Sequence, residues 1–144
     1  MSRIKGKATT NQTSSETVVV GVDVSKKWLD VFLHPIGERV RVANDATGIG
    51  KLLSCCLTNS AKLVVMEATG RYHRTAHTAL HEAGIKVAII NPYRTRRFAD
   101  VLGRLAKTDE IDAEVLARFA TIMKPAPTEP STATMTRIKE IVVA

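Results

Sequence analysis

The amino-acid sequence predicts an α/β fold in which a mixed β-sheet carries helices on both faces. The chain has 144 residues, of which 44% are hydrophobic, so it is long enough for one domain with a substantial core. A β-branched apolar run at residues 18–22 is typical of a strand that is buried on both faces. Two further strand patterns follow directly, and helical and strand patterns then alternate. The predicted order is βββαβαβα.

The first three strands are predicted to form an antiparallel meander. The buried first strand ends at Asp23, and a turn follows at residues 25–27. The second strand covers residues 28–33, with Trp28 expected in the core. Residues 38–42 alternate between polar and apolar side chains, as expected of a half-exposed third strand.

Helices and strands alternate over the rest of the chain. In chain order, the predicted segments are a helix around residues 49–57, a strand at 62–66, a helix around 72–83, a strand at 85–90 and a helix at 108–122. Asn44 and Asp45 offer an N-cap for the first of these helices, and Gly84 stops the second. The basic residues 94–105 are assigned neither a helix nor a strand. This order is that of the ribonuclease-H fold, although the actin-like sugar kinases begin in the same way.

The chain is predicted to have three regions. Residues 1–16 are polar and aperiodic and indicate a flexible leader, residues 17–124 hold the folded domain, and residues 125–144 form a Pro-containing linker and the start of a truncated connecting helix. No apolar run approaches the ~20 residues that cross a bilayer, and the leader lacks the apolar stretch of a signal peptide. We therefore expect a cytoplasmic protein without a membrane partner.

The net charge of +7 is concentrated in one part of the chain. Residues 71–107 contain eight Lys and Arg against two Asp and Glu, which gives +6, and an acidic cluster follows directly. A focused basic block of this kind predicts a site for a polyanion. The residues predicted to contact nucleic acid are Lys26, Arg71, Arg74, Arg94, Arg96, Arg97, Arg104 and Lys107. No base-reading motif is visible, so we expect contacts to the phosphate backbone.

Four carboxylates occupy positions that suit a metal-dependent phosphodiester chemistry. Asp23 and Glu67 each follow a buried apolar strand, and an acid in such a place is costly unless a metal or a partner satisfies it. Asp109 and Asp112 are three residues apart, on one face at the start of the predicted last helix. Phosphodiester chemistry uses hard cations held by oxygen ligands, so the four acids together predict a Mg²⁺ or Mn²⁺ site.

Each of these acids also has a purely structural interpretation. Asp23 could cap the turn that follows it, and Glu67 could pair with Arg71. Asp109 could be an N-cap, and Asp112 would interact favourably with the helix dipole from the first turn. Residue spacing alone leaves these alternatives open.

Three histidines lie on a single face of the predicted second helix. His73, His77 and His81 are spaced four residues apart, but the helix lacks a His-Glu-x-x-His motif and no cysteine is nearby in sequence. We therefore expect these histidines at the surface or facing nucleic acid rather than binding zinc.

Four short motifs stand in order at consistent spacing and resemble one known family. They are Gly21-Val22-Asp23-Val24-Ser25-Lys26, Met66-Glu67-Ala68-Thr69-Gly70, Asn91-Pro92 and Lys107-Thr108-Asp109-Glu110-Ile111-Asp112-Ala113. Together they resemble the N-terminal half of the DEDD transposases of insertion-sequence family 110, relatives of the pilin-gene inverting recombinases. The resemblance covers about residues 17–124.

The resemblance implies a RuvC-like domain with a ribonuclease-H-like fold and a role in DNA transposition. It places the acidic tetrad, with bound Mg²⁺, on Asp23, Glu67, Asp109 and Asp112, which are the four acids that the metal argument selected. It also implies DNA as a partner, a structured guide RNA as a further partner and a homo-oligomer in the full-length context.

One feature of the family has no counterpart in the sequence. Family members continue into a second domain with a nucleophilic serine, whereas Ser131 is the only serine after Ser60 and has no matching motif. The chain is therefore expected to be incomplete as a recombinase on its own.

Two hypotheses for the function follow. The first is the metal-dependent, nuclease-type domain of a DNA transposase or site-specific recombinase. The alternative is a truncated, non-catalytic fragment that binds nucleic acid or dimerises. ATP binding of the sugar-kinase type is disfavoured, because no Gly-rich phosphate loop follows the first strand.

Overall fold

A five-stranded sheet and four helices make up the part of the chain that the computed structural model describes, residues 17–103 and 111–130. The strands are β1 (Val19–Val24), β2 (Trp28–His34), β3 (Glu38–Ala43), β4 (Leu63–Glu67) and β5 (Val87–Ile90). The helices are α1 (Ala46–Thr58), α2 (Arg74–Glu82), α3 (Pro92–Leu102) and α4 (Ala113–Met123). No helix in these ranges is long and apolar enough to cross a membrane.

The sheet is mixed and has β1 at its centre. The strand order is β3-β2-β1-β4-β5, with β2 antiparallel to both of its neighbours, β1 and β3, and with β1, β4 and β5 parallel. The carboxyl ends of the three parallel strands therefore lie at one edge. The predicted mixed α/β architecture is confirmed.

Helices cover both faces of the sheet, as predicted. Alternate residues of β1 point to opposite faces. Val20 and Val22 are fully buried in a core with residues of α1 and α2. Val19 belongs to a second core with residues of α3 and α4. The rings of Phe98 and Phe119 join α3 to α4 in an edge-to-face contact, with centroids 5.3 Å apart.

Gly21 determines how closely α4 approaches the sheet. A Cβ atom at position 21 would lie 2.0 Å from the carbonyl oxygen of Ala113 and 2.8 Å from the amide nitrogen of Ala117. Both atoms belong to the α4 backbone, so no side chain could move aside to make room. The missing side chain lets the start of α4 rest directly on the centre of β1.

Two predictions about helices are corrected. The basic segment after β5 is the helix α3, because the Asn91 side chain caps it by accepting from the Tyr93 amide at 2.7 Å. Pro92 is the first residue of α3, and Gly103, in the left-handed backbone conformation, directly follows its last residue. Proline favours the first position of a helix and glycine the position after its end. The last helix begins at Ala113 rather than at residue 108, since Asp112 is its N-cap and Ile111 is not helical.

The expectation that Trp28 lies in the core is wrong. Its side chain is 43% exposed, and the Arg41 guanidinium lies over the ring, 5.1 Å from its centroid. Trp28 is on the same sheet face as Phe32, near the edge strand β3, where the helices of that face no longer cover the sheet.

Residues 124–130 run beside the outer edge of β5. The Thr128 amide donates to the Val87 carbonyl at 2.7 Å, and the Ile89 amide donates to the Thr128 hydroxyl at 3.1 Å. His77 of α2 contacts the Thr128 carbonyl through Nε2 at 2.7 Å. One threonine therefore connects this segment to both β5 and α2, while the predicted boundary at residue 124 stays a prediction.

Candidate active site

Asp23 and Glu67 lie on the same face of the sheet, at the carboxyl ends of neighbouring parallel strands. Gly21 of β1 pairs with Val65 of β4 in the parallel register. Two residues further along each strand, on the same face because side chains alternate, are Asp23 and Glu67. Neighbouring strands are about 4.8 Å apart, so the two carboxylates emerge side by side.

Asp112 and Asp23 line one groove, which we call the carboxylate groove. This cavity of about 300 Å³ is lined by three apolar residues and by five charged ones, which are Asp23, Asp30, Arg39, Arg41 and Asp112. Asp112 reaches it because α4 rests on Gly21, which brings the helix start over β1 and β2.

Asp112 caps α4, and its carboxylate could bind a cation at the same time. Its Oδ1 atom accepts from the Val115 amide at 3.0 Å, which satisfies one of the unpaired amides of the first turn of α4. An ionised carboxylate can accept about four hydrogen bonds or metal contacts. A carboxylate that caps a helix can therefore also bind a cation.

Glu67 is half-buried and accepts a hydrogen bond from a threonine that the sequence did not indicate as part of the site. The hydroxyl of Thr95, a fully buried residue of α3, donates to Glu67 Oε2. Burial raises the pKa of the Glu67 carboxyl, while the Thr95 hydrogen bond and the charge of Arg96 act in the opposite direction. Among the described residues Glu67 makes no ion pair with Arg71, so that structural alternative is not supported.

Two arginines of β3 complete the groove and were also missed. Arg41 forms a bidentate pair with Asp30 of β2, at 2.7 and 3.1 Å, and this bond raises the pKa of the guanidinium. Arg39 pairs with Glu114 of α4, and its guanidinium lies 4.8 Å from the centroid of the Phe32 ring. The sequence does contain a signal for these two arginines. Arg39 and Arg41 alternate with Val40 and Val42, which places both arginines on the same face of β3.

The structure brings together some of the predicted nucleic-acid-binding residues. Lys26 and Arg71 line one cavity of about 360 Å³ beside α1. Arg94, Arg96 and Arg97 are on α3, the helix whose Thr95 contacts Glu67.

Among the other three predicted cations, Arg74 is separate from these groups. Arg74 is the first residue of α2 and lines a smaller cavity with His73 and His77. Arg104 and Lys107 lie outside the described residues, as does the predicted metal ligand Asp109.

The expectation of surface histidines is wrong for two of the three. His73 is 9% exposed and His77 is 5% exposed, and burial lowers the pKa of both rings. His73 Nδ1 accepts from the Thr69 amide at 3.4 Å, while His77 contacts Thr128. Both rings are therefore structural groups between α2 and its neighbours.

The donor set suits a hard divalent cation. Asp23, Glu67 and Asp112 offer only carboxylate oxygens, the ligands that Mg²⁺ and Mn²⁺ prefer. Over residues 17–103 and 111–130, no three His, Cys, Asp or Glu side chains are close enough together to hold a metal ion as they stand. The three residues thus fit such a cation by their chemistry, and Asp23 and Glu67 also share one end of the sheet.

Comparison with known proteins identifies the family. The model of the DEDD transposases of insertion-sequence family 110, described as a transposase, matches residues 20–144. The chain belongs to this transposase family. The resemblance seen in the four sequence motifs is thereby confirmed.

Two relatives of the transposase chain are pilin gene-inverting proteins, from Moraxella bovis and Moraxella lacunata. Each is 31% identical over 113 residues, covering 74% of this chain. The chain spans 35% of the length of these relatives.

A solved structure supports the fold. Thermus thermophilus RuvC, in complex with a Holliday junction substrate, superposes with a TM-score of 0.53 at 15% identity. The match covers 78% of the transposase chain and 99% of the RuvC chain. It confirms the predicted ribonuclease-H-like, RuvC-like fold.

Proposed function

We propose that this chain is the catalytic, RuvC-like domain of a DNA transposase or site-specific recombinase that acts on phosphodiesters with Mg²⁺ or Mn²⁺. The carboxylates that would hold the cation are Asp23, Glu67 and Asp112, together with Asp109. The observation that carries the proposal is the position of Asp23 and Glu67, side by side at the carboxyl ends of β1 and β4, with Asp112 lining the same groove as Asp23.

The proposed roles of the residues follow from their positions. A bound divalent cation would stabilise the negative charge that develops on a phosphodiester during cleavage and joining. Asp23 and Glu67 come from the rigid centre of the sheet and would fix the position of the cation. Thr95 would orient Glu67, and the arginines of α3 would contact phosphates of the nucleic-acid backbone.

The partners are proposed from the relatives. The pilin gene-inverting proteins are named for a DNA rearrangement, and the RuvC structure holds a DNA junction. DNA is therefore the proposed substrate. A structured guide RNA and a homo-oligomer of the longer protein are proposed from the family resemblance alone.

Titration of the full chain with Mn²⁺, followed by calorimetry, tests the metal site. We expect Asp23→Asn and Glu67→Gln each to weaken binding by at least about tenfold, since each removes a proposed ligand. Glu82→Gln is the matched control, because Glu82 ends α2 on the opposite sheet face and is exposed. Unchanged Mn²⁺ affinity in both site variants would refute the assignment.

A non-catalytic nucleic-acid-binding domain is the second candidate. It is favoured by the absence, among the described residues, of a preassembled group of three metal-binding side chains. Nucleic-acid binding that persists in a chelator, in a chain with no measurable Mn²⁺ affinity, would support this candidate over the catalytic domain.

A further inference from the structure

We infer that Lys26, Arg71 and Tyr72 form a subsite for one nucleotide of a single strand, in the loops that follow the strands carrying Asp23 and Glu67. The inference rests on the proposed function insofar as that function supplies a nucleic-acid strand. The subsite is a cavity of about 360 Å³ between the β1–β2 turn and the loop that follows β4. We call this cavity the Lys26–Arg71 pocket.

The topology explains why these two cations meet. Lys26 follows Asp23 by three residues and Arg71 follows Glu67 by four, so each proposed ligand is succeeded by a cation. Because β1 and β4 are neighbouring parallel strands, the segments that leave their carboxyl ends emerge side by side. The pocket and the two carboxylates therefore lie at the same end of the sheet, and the pocket contains none of the proposed metal ligands.

The side chain of Asn44 holds the two walls of the pocket together. Its Nδ2 atom donates to the Ser25 carbonyl at 2.9 Å and to the Tyr72 carbonyl at 3.0 Å. The backbone amide of Asn44 donates to the Lys27 carbonyl at 2.8 Å. One asparagine thus fixes the loop that carries Lys26 against the loop that carries Arg71.

The pocket has the chemistry of a nucleotide site. Within the described part of the chain, neither Lys26 nor Arg71 is in an ion pair, so both cations are available to a phosphate. Tyr72 also lines the pocket and the residue is 39% exposed, so its aromatic side chain is available for a base to stack on. Asp45 also lines the pocket, but its Oδ1 caps α1 by accepting from the Gly48 amide at 2.8 Å.

The size of the pocket limits the ligand. Cavities of roughly 300–1,000 Å³ accommodate small organic ligands. At about 360 Å³, the pocket is of the size of one nucleotide unit. A base can stack on Tyr72 only when it is unpaired, which is why we take the ligand to be a segment of single-stranded nucleic acid.

Binding of a fluorescent single-stranded oligonucleotide to the full chain, measured by anisotropy in a chelator, tests the subsite. Lys26→Gln and Arg71→Gln should each weaken binding by about 3- to 10-fold and reduce the salt slope of the affinity by about one. Tyr72→Ala should weaken binding with an unchanged salt slope, and Tyr72→Phe should restore it. Lys62→Gln is the control, because Lys62 precedes β4 at the opposite end of the sheet.

Disrupting the Asn44 clamp separates a built pocket from independent surface cations. Asn44→Ala removes no charge, yet it should weaken binding as much as Lys26→Gln does, provided that thermal unfolding shows a folded chain. If Lys26→Gln and Arg71→Gln bind as well as Lys62→Gln, or if folded Asn44→Ala binds normally, the subsite is refuted.

The experiments can refute the nucleotide subsite and the metal site independently of each other. Mn²⁺ titration of Lys26→Gln should match that of the unmodified chain, since the pocket contributes no proposed metal ligand. Normal Mn²⁺ binding with unaffected oligonucleotide binding would refute the subsite alone. Weakened oligonucleotide binding in a chain that binds no Mn²⁺ would refute the catalytic proposal and retain the subsite.

Discussion

At the scale of the residue, Thr95 has one hydroxyl proton within reach of two acceptors. Its oxygen contacts the Glu67 carboxylate and lies 2.9 Å from the Pro92 carbonyl. A hydrogen bond to an ionised group is about twice as strong as one between neutral groups, so an ionised Glu67 takes the proton. Thr95 thereby holds Glu67 in one orientation, and its own position depends on the fold of α3.

The isosteric change Thr95→Val tests this role. We expect a loss of about 0.5–1.5 kcal/mol in the free energy of unfolding, because the half-buried Glu67 loses a hydrogen bond. We also expect weaker Mn²⁺ binding, by about 3- to 10-fold, as Glu67 loses its fixed orientation. Denaturant unfolding and calorimetry measure the two effects. Thr95→Ser should restore the Mn²⁺ affinity, and equal affinity in Val and Ser variants would contradict the role.

Alanine substitutions at Gly21 and Gly50 compare a glycine that has no room for a side chain with one that has room. Gly21→Ala forces α4 away from β1, so we expect a destabilisation of about 1–3 kcal/mol together with weaker Mn²⁺ binding. Gly50 lies within α1, and a Cβ there meets nothing within 4 Å. Gly50→Ala should therefore stabilise the chain by about 0.5–1 kcal/mol through its higher helix propensity. Urea unfolding of both variants decides the matter, and a harmless Gly21→Ala would argue against the close approach.

At the scale of the element, α3 depends on its first cap. Asn91→Ala removes the acceptor for the Tyr93 amide and should cost about 1 kcal/mol in the free energy of unfolding. Asn91→Asp keeps a side-chain acceptor and adds a charge that favours a helix N-terminus, so it should be neutral or stabilising. Denaturation curves of the two variants check this, and equal losses in both would mean that the cap does not stabilise α3.

The elements also explain which sequence predictions succeeded. The strands β1 and β4 of the parallel core were predictable because residues 18–22 and 63–66 are short apolar runs, which are typical of strands covered on both faces. The helix α3 was missed because its arginines interrupt the apolar pattern, and only Thr95 and Ala99 of the helix are buried, with Phe98 partly buried beside them. Its capping residues, Asn91 with Pro92 and the later Gly103, were the available signal.

The candidate site was predictable in its acids and not in its supporting groups. Asp23 and Glu67 stand out because each ends an apolar strand. Thr95 and Asn44 do not, since their importance comes from contacts across 28 residues in each case, which no local pattern records.

At the scale of the whole molecule, two buried histidines couple stability to pH. Burial lowers the pKa of His73 and of His77 in the folded chain below the usual value of about 6.5, whereas both rings titrate normally when unfolded. Below pH 6.5 the unfolded chain therefore binds more protons, and stability falls with decreasing pH. At His77 the hydrogen bond to Thr128 opposes burial by raising the pKa, whereas the neighbouring charges of Arg74, on His73, and His81, on His77, lower it further.

We expect the free energy of unfolding to decrease between pH 7.5 and 5.5, by at most about 1.4 kcal/mol per pH unit for each histidine. His77→Gln can still donate to the Thr128 carbonyl but does not titrate, so its profile should be flatter. Urea unfolding at a series of pH values measures this. Parallel profiles for the two proteins would show that His77 does not contribute to the pH dependence.

The packing of α4 on Gly21 also has a consequence for the order in which the protein folds. Asp112 joins Asp23 only after α4 has packed on β1 and β2, elements from the opposite end of the domain. Contacts between such distant parts of a chain form late in folding, because a long loop must close first. A nascent or half-folded chain would thus hold its acids apart. The proposed metal site would then be complete only once α4 has packed on the sheet.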